Sequence, residues 1–223
     1  MSGLPDNWTY ATLESLGQWG SGGTPSRTNP AYFEGGRIPW LIIGDLNDRV
    51  VTNAATHITE AGLANSSAKL LPPETLLVAM YGSIGKLGIT GIECATNQAI
   101  AFCKPNTEIT YLRYLFYAVM NAKDGLVALG QGGAQQNISQ GILKAYEVPL
   151  APLGEQKRIA DKLDTVLVRV DACRDRLDRI PAILKRFRQA VLSAATSGKL
   201  TEDWRVTRKK SEEVEVSDAG YEG

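Results

Sequence analysis

Two short segments carry side chains whose types and spacing fit contact with a nucleic acid. In Gln131-Gly132-Gly133-Ala134-Gln135-Gln136-Asn137, three glutamines and an asparagine fall within seven residues. A side-chain amide sets a donor beside an acceptor, the pattern that makes bidentate contacts to adenine in the major groove. The glycines let the backbone come close. The same composition suits a solvated loop. The second segment is Gly82-Ser83-Ile84-Gly85-Lys86. A nucleotide-binding phosphate loop needs Gly-x-x-x-x-Gly-Lys followed by Ser or Thr. Here the spacing is wrong, and Leu87 stands where the magnesium-binding hydroxyl belongs. What is left is a hairpin turn, or a turn that offers Lys86 and backbone amides to a phosphate.

Other reactive groups are sparse. Asn29-Pro30-Ala31-Tyr32 is one residue away from the Asn-Pro-Pro-Tyr tetrapeptide of amino-methyltransferases. No glycine fingerprint follows a strand to hold S-adenosylmethionine, so the tetrapeptide reads as loop. His57 is the one histidine. That removes His-based triads and most metal sites, and His57 itself reads as a residue without a ligand role. Cys94, Cys103 and Cys173 are odd in number and widely spaced. They read as small core residues in a reducing compartment, with no disulfide or zinc framework.

The elements that must hold these segments can be read from pattern. Trp8 to Leu16 alternates weakly, as a first strand does. Gly17 to Ala31 is rich in Gly, Ser, Thr and Pro and reads as a long surface loop. Strands are predicted at Ile38–Ile43, Leu76–Met80, Leu87–Thr90 and Ala99–Cys103. Thr59 is placed to cap a short helix to Ala64, with Glu60 in its first turn. Thr110 is placed to cap a helix to about Ala122, which Gly125 would stop. Ser139 is placed to cap another short helix, and Val148 to Leu153 is extended around two prolines. Strands and helices mix without regular βαβ alternation, so residues 1–153 read as an α+β head.

From about Glu155 to Ser197 the pattern turns helical. Ile159, Leu163, Val166, Val170, Cys173, Leu177, Ile180, Leu184, Phe187 and Val191 recur at steps of four and three without a miss. That is a coiled-coil seam, made to face another helix, although a long helix buried on its own domain gives the same pattern. Pro181 keeps the phase while removing a backbone donor, so a kink or brief break is expected there. Gly198 is a plausible stop. The domains read as head 1–153, helix 154–200 and flexible tail or linker 201–223.

Hydrophobic residues are 43% and charged residues 22%, an ordinary globular composition. No run of 18 apolar residues suggests a membrane span, and residues 1–6 lack the features of a secretion signal. A cytoplasmic protein is expected. Net charge is zero but uneven. The head has 9 Lys+Arg against 11 Asp+Glu, residues 154–205 have 12 against 8, and residues 206–223 have 3 against 5. A non-specific nucleic-acid binder would carry a more basic head.

Taken in order, several motifs resemble the target recognition domain of type I restriction-modification specificity subunits. They are Leu4-Pro5-Asp6-Asn7-Trp8, Gly23-Thr24-Pro25-Ser26-Arg27, Tyr32-Phe33 with Ile38-Pro39-Trp40, Gly82 to Lys86, Thr96-Asn97-Gln98-Ala99 and Gln135-Gln136-Asn137-Ile138-Ser139. The junction Val148 to Gln156 and the ending Leu192 to Leu200 resemble that family's helical region. The likeness runs over residues 4–205.

The resemblance implies a subunit that is not itself catalytic. In that family two recognition domains each read half of a split DNA site. Two antiparallel helices set the spacing and dock methyltransferase subunits, which carry the S-adenosylmethionine chemistry. A restriction subunit adds ATP- and magnesium-dependent translocation and cleavage. This chain itself would need no cofactor. With one domain and one helix, it is expected to be a half-subunit or the first half of a longer one, completed by a second half or a second copy.

The DNA-binding candidates are Thr24, Ser26, Arg27 and Lys69; Tyr81, Ser83 and Lys86; Asn97 and Gln98; and Gln131, Gln135, Gln136, Asn137 and Ser139. They are expected to line one surface. Arg27, Lys69 and Lys86 would contact phosphates. The interface candidates are Ile159, Leu163, Val166, Val170, Leu177, Ile180, Leu184, Phe187 and Val191. Two other classes stay open: a small methyltransferase, which would bind S-adenosylmethionine, and a coiled-coil scaffold, which would show no sequence preference.

Overall fold

The computed structural model describes residues 3–131 and 136–209. The chain divides into two compact units, Met1–Leu163 and Asp164–Gly223. The fold is α+β, as the pattern predicts.

Among the described residues the first unit has ten strands: β1 (Thr9–Thr12), β2 (Gly17–Ser21), β3 (Ile38–Leu41), β4 (Arg49–Val51), β5 (Thr56–Ile58), β6 (Leu76–Ala79), β7 (Leu87–Thr90), β8 (Ala95–Thr96), β9 (Ile100–Pro105) and β10 (Glu147–Leu150). Five of them form the central sheet in the order β2-β9-β6-β7-β4. Within this sheet the β4–β7 pair is parallel and the others are antiparallel. A second sheet has the order β5-β3-β8, and β1 pairs antiparallel with β10.

β6 and β9 are apolar at nearly every position because the sheet is covered on both faces. Side chains alternate, so Leu76, Val78, Ala101 and Cys103 enter one core and Leu77, Ala79, Ile100 and Phe102 enter the other. The first core is closed by α2 (Leu112–Asn121), through Leu115, Phe116 and Val119, and by Leu126 and Leu143 of α3 (Lys123–Ala128) and α4 (Gln140–Ala145). The second is closed by Leu41, Leu46, Val51 and Leu71. Trp40 and Ile58 of the small sheet form a third cluster with Ala68 and Ala95.

Several local expectations hold. Thr59 caps α1 (Glu60–Ala64) by accepting from the Gly62 N–H at 3.1 Å. Ser139 caps α4, accepting from the Ile142 N–H at 3.2 Å.

Others change. Residues 17–21 form strand β2, not surface loop. Glycine marks close packing here: a Cβ at Gly20 would lie 2.3 Å from the Phe102 ring, and one at Gly17 would lie 2.5 Å from the Lys104 carbonyl oxygen. Residues 13–16 turn as a 3-10 helix instead of continuing β1. Thr110 does not cap α2. It is buried, its hydroxyl has no partner among the described residues, and the N-cap is Tyr111. Gly125 lies inside α3, where a Cβ would strike the Tyr146 hydroxyl at 2.1 Å.

Helix α5 runs from Leu153 to Thr196, about 66 Å at the standard rise. Pro181 lies within it, and no break interrupts it. Gly198 ends it in the left-handed region, at φ +73°. Residues 202–209, in the segment expected to be a flexible tail or linker, are again helical. There the Arg205 guanidinium donates to the Gly198 carbonyl at 2.6 Å, and the Arg208 guanidinium lies over the Trp204 ring.

Within the second unit the seam is open. Val170 is 47% exposed, Leu177 63% and Phe187 64%, and Val166, Ile180, Leu184 and Val191 are also exposed. Ile159 and Leu163, in the first unit, are half-buried. Cys173 is exposed, unlike the core residue expected; it stands on the seam, and no described element of its own unit covers it. Cys94 and Cys103 are buried, and burial pushes both thiols up to about 12. They are neutral near pH 7 and poor nucleophiles.

Candidate nucleic-acid interface

Backbone hydrogen bonds join the predicted polar segments in one continuous series. Gly22 N–H donates to the Ile100 carbonyl at 3.2 Å, and Gly23 N–H to the Thr96 carbonyl at 2.9 Å. A Cβ at Gly23 would lie 2.3 Å from the Ala68 amide nitrogen, so only glycine lets this strand end slip between residues 67–68 and 96. The Trp40 indole donates to the Gly23 carbonyl at 3.0 Å. One residue on, the Thr24 hydroxyl donates to Gln98 Oε1.

From Gln98 the series continues. Met80 N–H donates to the Ala99 carbonyl at 2.8 Å, and Ile138 N–H to the Met80 carbonyl at 2.9 Å. Gly82 N–H donates to the Gln136 carbonyl at 3.0 Å, and Tyr81 bridges Asn137. Gln131 and Asn137 exchange backbone bonds of 2.9 Å each way, closing the base of the amide loop. The turn between β6 and β7 has the two left-handed residues its path requires, Gly82 at φ +65° and Gly85 at φ +74°. The residues near Thr24, Tyr81, Gln98 and Gln136 thus form one neighbourhood although they are far apart in sequence.

Within it the candidates differ. Ser26, Arg27, Lys69, Tyr81, Ser83, Gln98, Gln131, Gln136 and Asn137 are exposed, and Thr24 is half-buried. The Arg27 guanidinium lies 6.0 Å from the Trp40 ring and the Lys69 ammonium 6.0 Å from the Phe102 ring. Among the described residues no carboxylate holds either cation, so both are free to meet an anion. The Ser26 hydroxyl is 2.8 Å from that of Thr28.

Three candidates have structural duties. Asn97 is half-buried, and its Oδ1 accepts from the Ala99 N–H at 3.2 Å. Ser139 caps α4. Lys86 is half-buried and donates from Nζ to the Ile43 carbonyl at 3.2 Å. Gln135 lies outside the described residues.

Sequence reading missed the pocket beside Arg27. It measures about 410 Å³ and is lined by Arg27, Pro30, Phe33, Glu34, Trp40, Ile42 and Thr56. Those residues come from three separated segments, so no local signal joins them. It also missed the duty of Trp40, whose buried ring supports Arg27 and anchors Gly23. Exposed His57 takes part in none of this. No group of acidic, histidine and cysteine residues able to hold a metal occurs among the described residues, and no described helix is long and apolar enough to cross a membrane.

The chain thus combines a glycine-threaded polar surface on a two-faced sheet with a long helix whose apolar seam is open. The chain belongs to the family of the type I restriction modification DNA specificity domain, whose model matches residues 5–182. Among particular relatives, the EcoKI specificity subunit of Escherichia coli K12 is 28% identical over 210 residues, 91% of this chain and 45% of the relative. The StySPI specificity subunit of Salmonella potsdam is 29% identical, over 89% of this chain and 44% of its own length. The crystal structure of the HsdS subunit from Thermoanaerobacter tengcongensis superposes with a TM-score of 0.65 at 25% identity, over 87% of this chain and 46% of that one. The chain spans a little under half the length of these relatives.

Proposed function

We propose that this chain is a DNA sequence-recognition element of a type I restriction-modification complex and reads one half of a two-part site. The observation that carries the reading is the single hydrogen-bonded neighbourhood joining Thr24, Gln98, Tyr81 and Gln136 next to Arg27 and Lys69. Amide and hydroxyl groups supply base-edge contacts, and the two cations supply phosphate contacts. A head this close to neutral suits a subunit that shares phosphate contacts with its partners. The chemistry then lies on those partners: methyltransferase subunits that use S-adenosylmethionine, and a restriction subunit that uses ATP and magnesium. In this reading the chain has no catalytic residue or cofactor of its own.

Helix α5 is the assembly arm, and its open seam is covered by a second helix of the same kind, from a second half or a second copy. Charge supports an antiparallel pair. Residues 179–201 contain Arg179, Lys185, Arg186, Arg188 and Lys199 and no acidic residue, whereas residues 153–178 carry six acidic and six basic side chains. Parallel pairing would set two basic stretches side by side. Antiparallel pairing sets each against a neutral stretch that contains acids. Two copies would then form a two-fold pair with a head at each end and read an inverted repeat.

Sequencing DNA methylation marks in the source cell, with and without the gene, tests the function. The expected result is loss of one bipartite methylated motif. An unchanged methylome would reject the reading.

A further inference from the structure

Gln156, in the first turns of α5, is completely buried, and both ends of its amide are in use. Its Oε1 accepts at 2.8 Å from the N–H of Tyr111, the residue that stands at the N-cap of α2. Its Nε2 donates to the carbonyls of Ile109 at 2.9 Å and Ala151 at 2.8 Å. A single side chain thus ties the helix to the loop before α2, to the cap of α2 and to the end of β10. A second tie lies one residue earlier. The Trp8 indole donates to Glu155 Oε2 at 3.2 Å, and its ring meets Tyr114 of α2 edge-on, with centroids 6.4 Å apart.

Apolar burial alone would hold a helix start in place, but it is not directional. Hydrogen bonds weaken steeply when bent, so three of them on one buried amide fix orientation as well as position. An amide this deep is otherwise a poor choice, because any bond left unmade costs its desolvation.

We propose that Gln156, reinforced by the Trp8–Glu155 bond, is a positioning residue that fixes how many base pairs may separate the two half-sites. The proposal rests on the two-part reading above. Its physical basis is the geometry of DNA. One added base pair shifts the second half-site by about 3.4 Å and turns it by about 34°. Heads held rigidly on their helices cannot follow both changes, whereas heads on a loosened joint can.

The test uses the full chain, expressed from its own locus in the source cell, with methylation marks sequenced genome-wide. The parent should mark one motif with one gap length. Gln156→Met keeps the volume and removes every side-chain amide hydrogen bond; Trp8→Phe removes the indole donor and keeps a smaller aromatic ring beside Tyr114. Both should mark the same half-site bases, with sites one base pair longer or shorter rising about tenfold over the parent. Glu155→Gln keeps an oxygen for Trp8 and should retain the parental gap. If Gln156→Met fails to accumulate, Trp8→Phe decides alone.

Weaker methylation at every site with the single gap unchanged would overturn the proposal and reduce Gln156 to a stabilising residue. Altered half-site bases at an unchanged gap would also overturn it. A parent that marks no two-part motif would bring down the two-part reading, and the proposal with it.

Discussion

Leu77 and Leu177 are the same side chain under opposite conditions. Leu77 is wholly buried in the second core of the head, and Leu177, on α5, is 63% exposed. The head satisfies its apolar residues internally and leaves polar, glycine-flanked loops outside. The helix keeps its polar residues in water and leaves its apolar residues outside too. In the proposed function, exposure in the head marks what reads DNA, and exposure on the helix marks what a second helix covers, since an apolar stripe of this length is costly in water.

The sharpest way to break this contrast is to change Val170 and Leu177 together to Asp. In the proposed pair both charges would be buried without partners, and dissociation should become at least about a thousandfold easier. Sedimentation at tens of micromolar checks this: pairs for the parent, monomers for the variant. Because both residues are exposed in the single chain, the variant should keep its fold, and its Cys173 should react with a thiol reagent at neutral pH. A parent that sediments as a monomer would refute self-pairing and leave a separate second half as the partner.

Next comes a matched pair of deletions. Leu77→Ala opens a cavity and should cost about 2–5 kcal/mol in denaturant unfolding. Leu177→Ala, made in the dissociated background, should shift stability by less than about 0.5 kcal/mol. Equal costs would mean that the seam packs on its own chain.

Smaller effects separate reading from holding. Gln136→Ala should relax preference at one base position by about 1–3 kcal/mol in binding to variant sites, with pairing unchanged. Smaller still, Arg27→Ala and Lys69→Ala should each flatten the salt dependence of DNA binding by about one unit, with little change in preference. Lys86→Ala should flatten it less, because the Ile43 carbonyl already holds its ammonium. A full unit lost at Lys86 would show that the ammonium leaves that carbonyl to reach a phosphate.

Much of the fold was legible because its signals are local. Continuous apolar runs gave β6, β7 and β9, hydroxyl caps gave α1 and α4, and the unbroken 4-3 spacing gave α5. Errors arose where a distant residue decided the local structure. Gly17 and Gly20 look like loop residues until Phe102 and Cys103 pack against them. Thr110 looks like a cap, but the helix begins one residue later, where the Tyr111 N–H is held by Gln156 from the far end of the unit. The site follows the same rule. Composition singles out the candidate loops, but that Thr24 meets Gln98, and Gly82 meets Gln136, depends on strand order, which the sequence does not spell out. The pocket beside Arg27 was illegible for that reason.

Pro181 has a consequence in time as well as in space. Lacking an N–H, it leaves the Leu177 carbonyl without its helical donor, at the edge of the seam. Helix formation is cooperative along a ladder of such bonds. The missing rung divides α5 into a stretch of roughly 28 residues before the proline and one of roughly 16 from it onward. The shorter stretch can fray back to that point without disturbing the longer one, so its amide hydrogens exchange with solvent sooner. A partner arriving on the seam meets a stiff stem and a tip that still breathes.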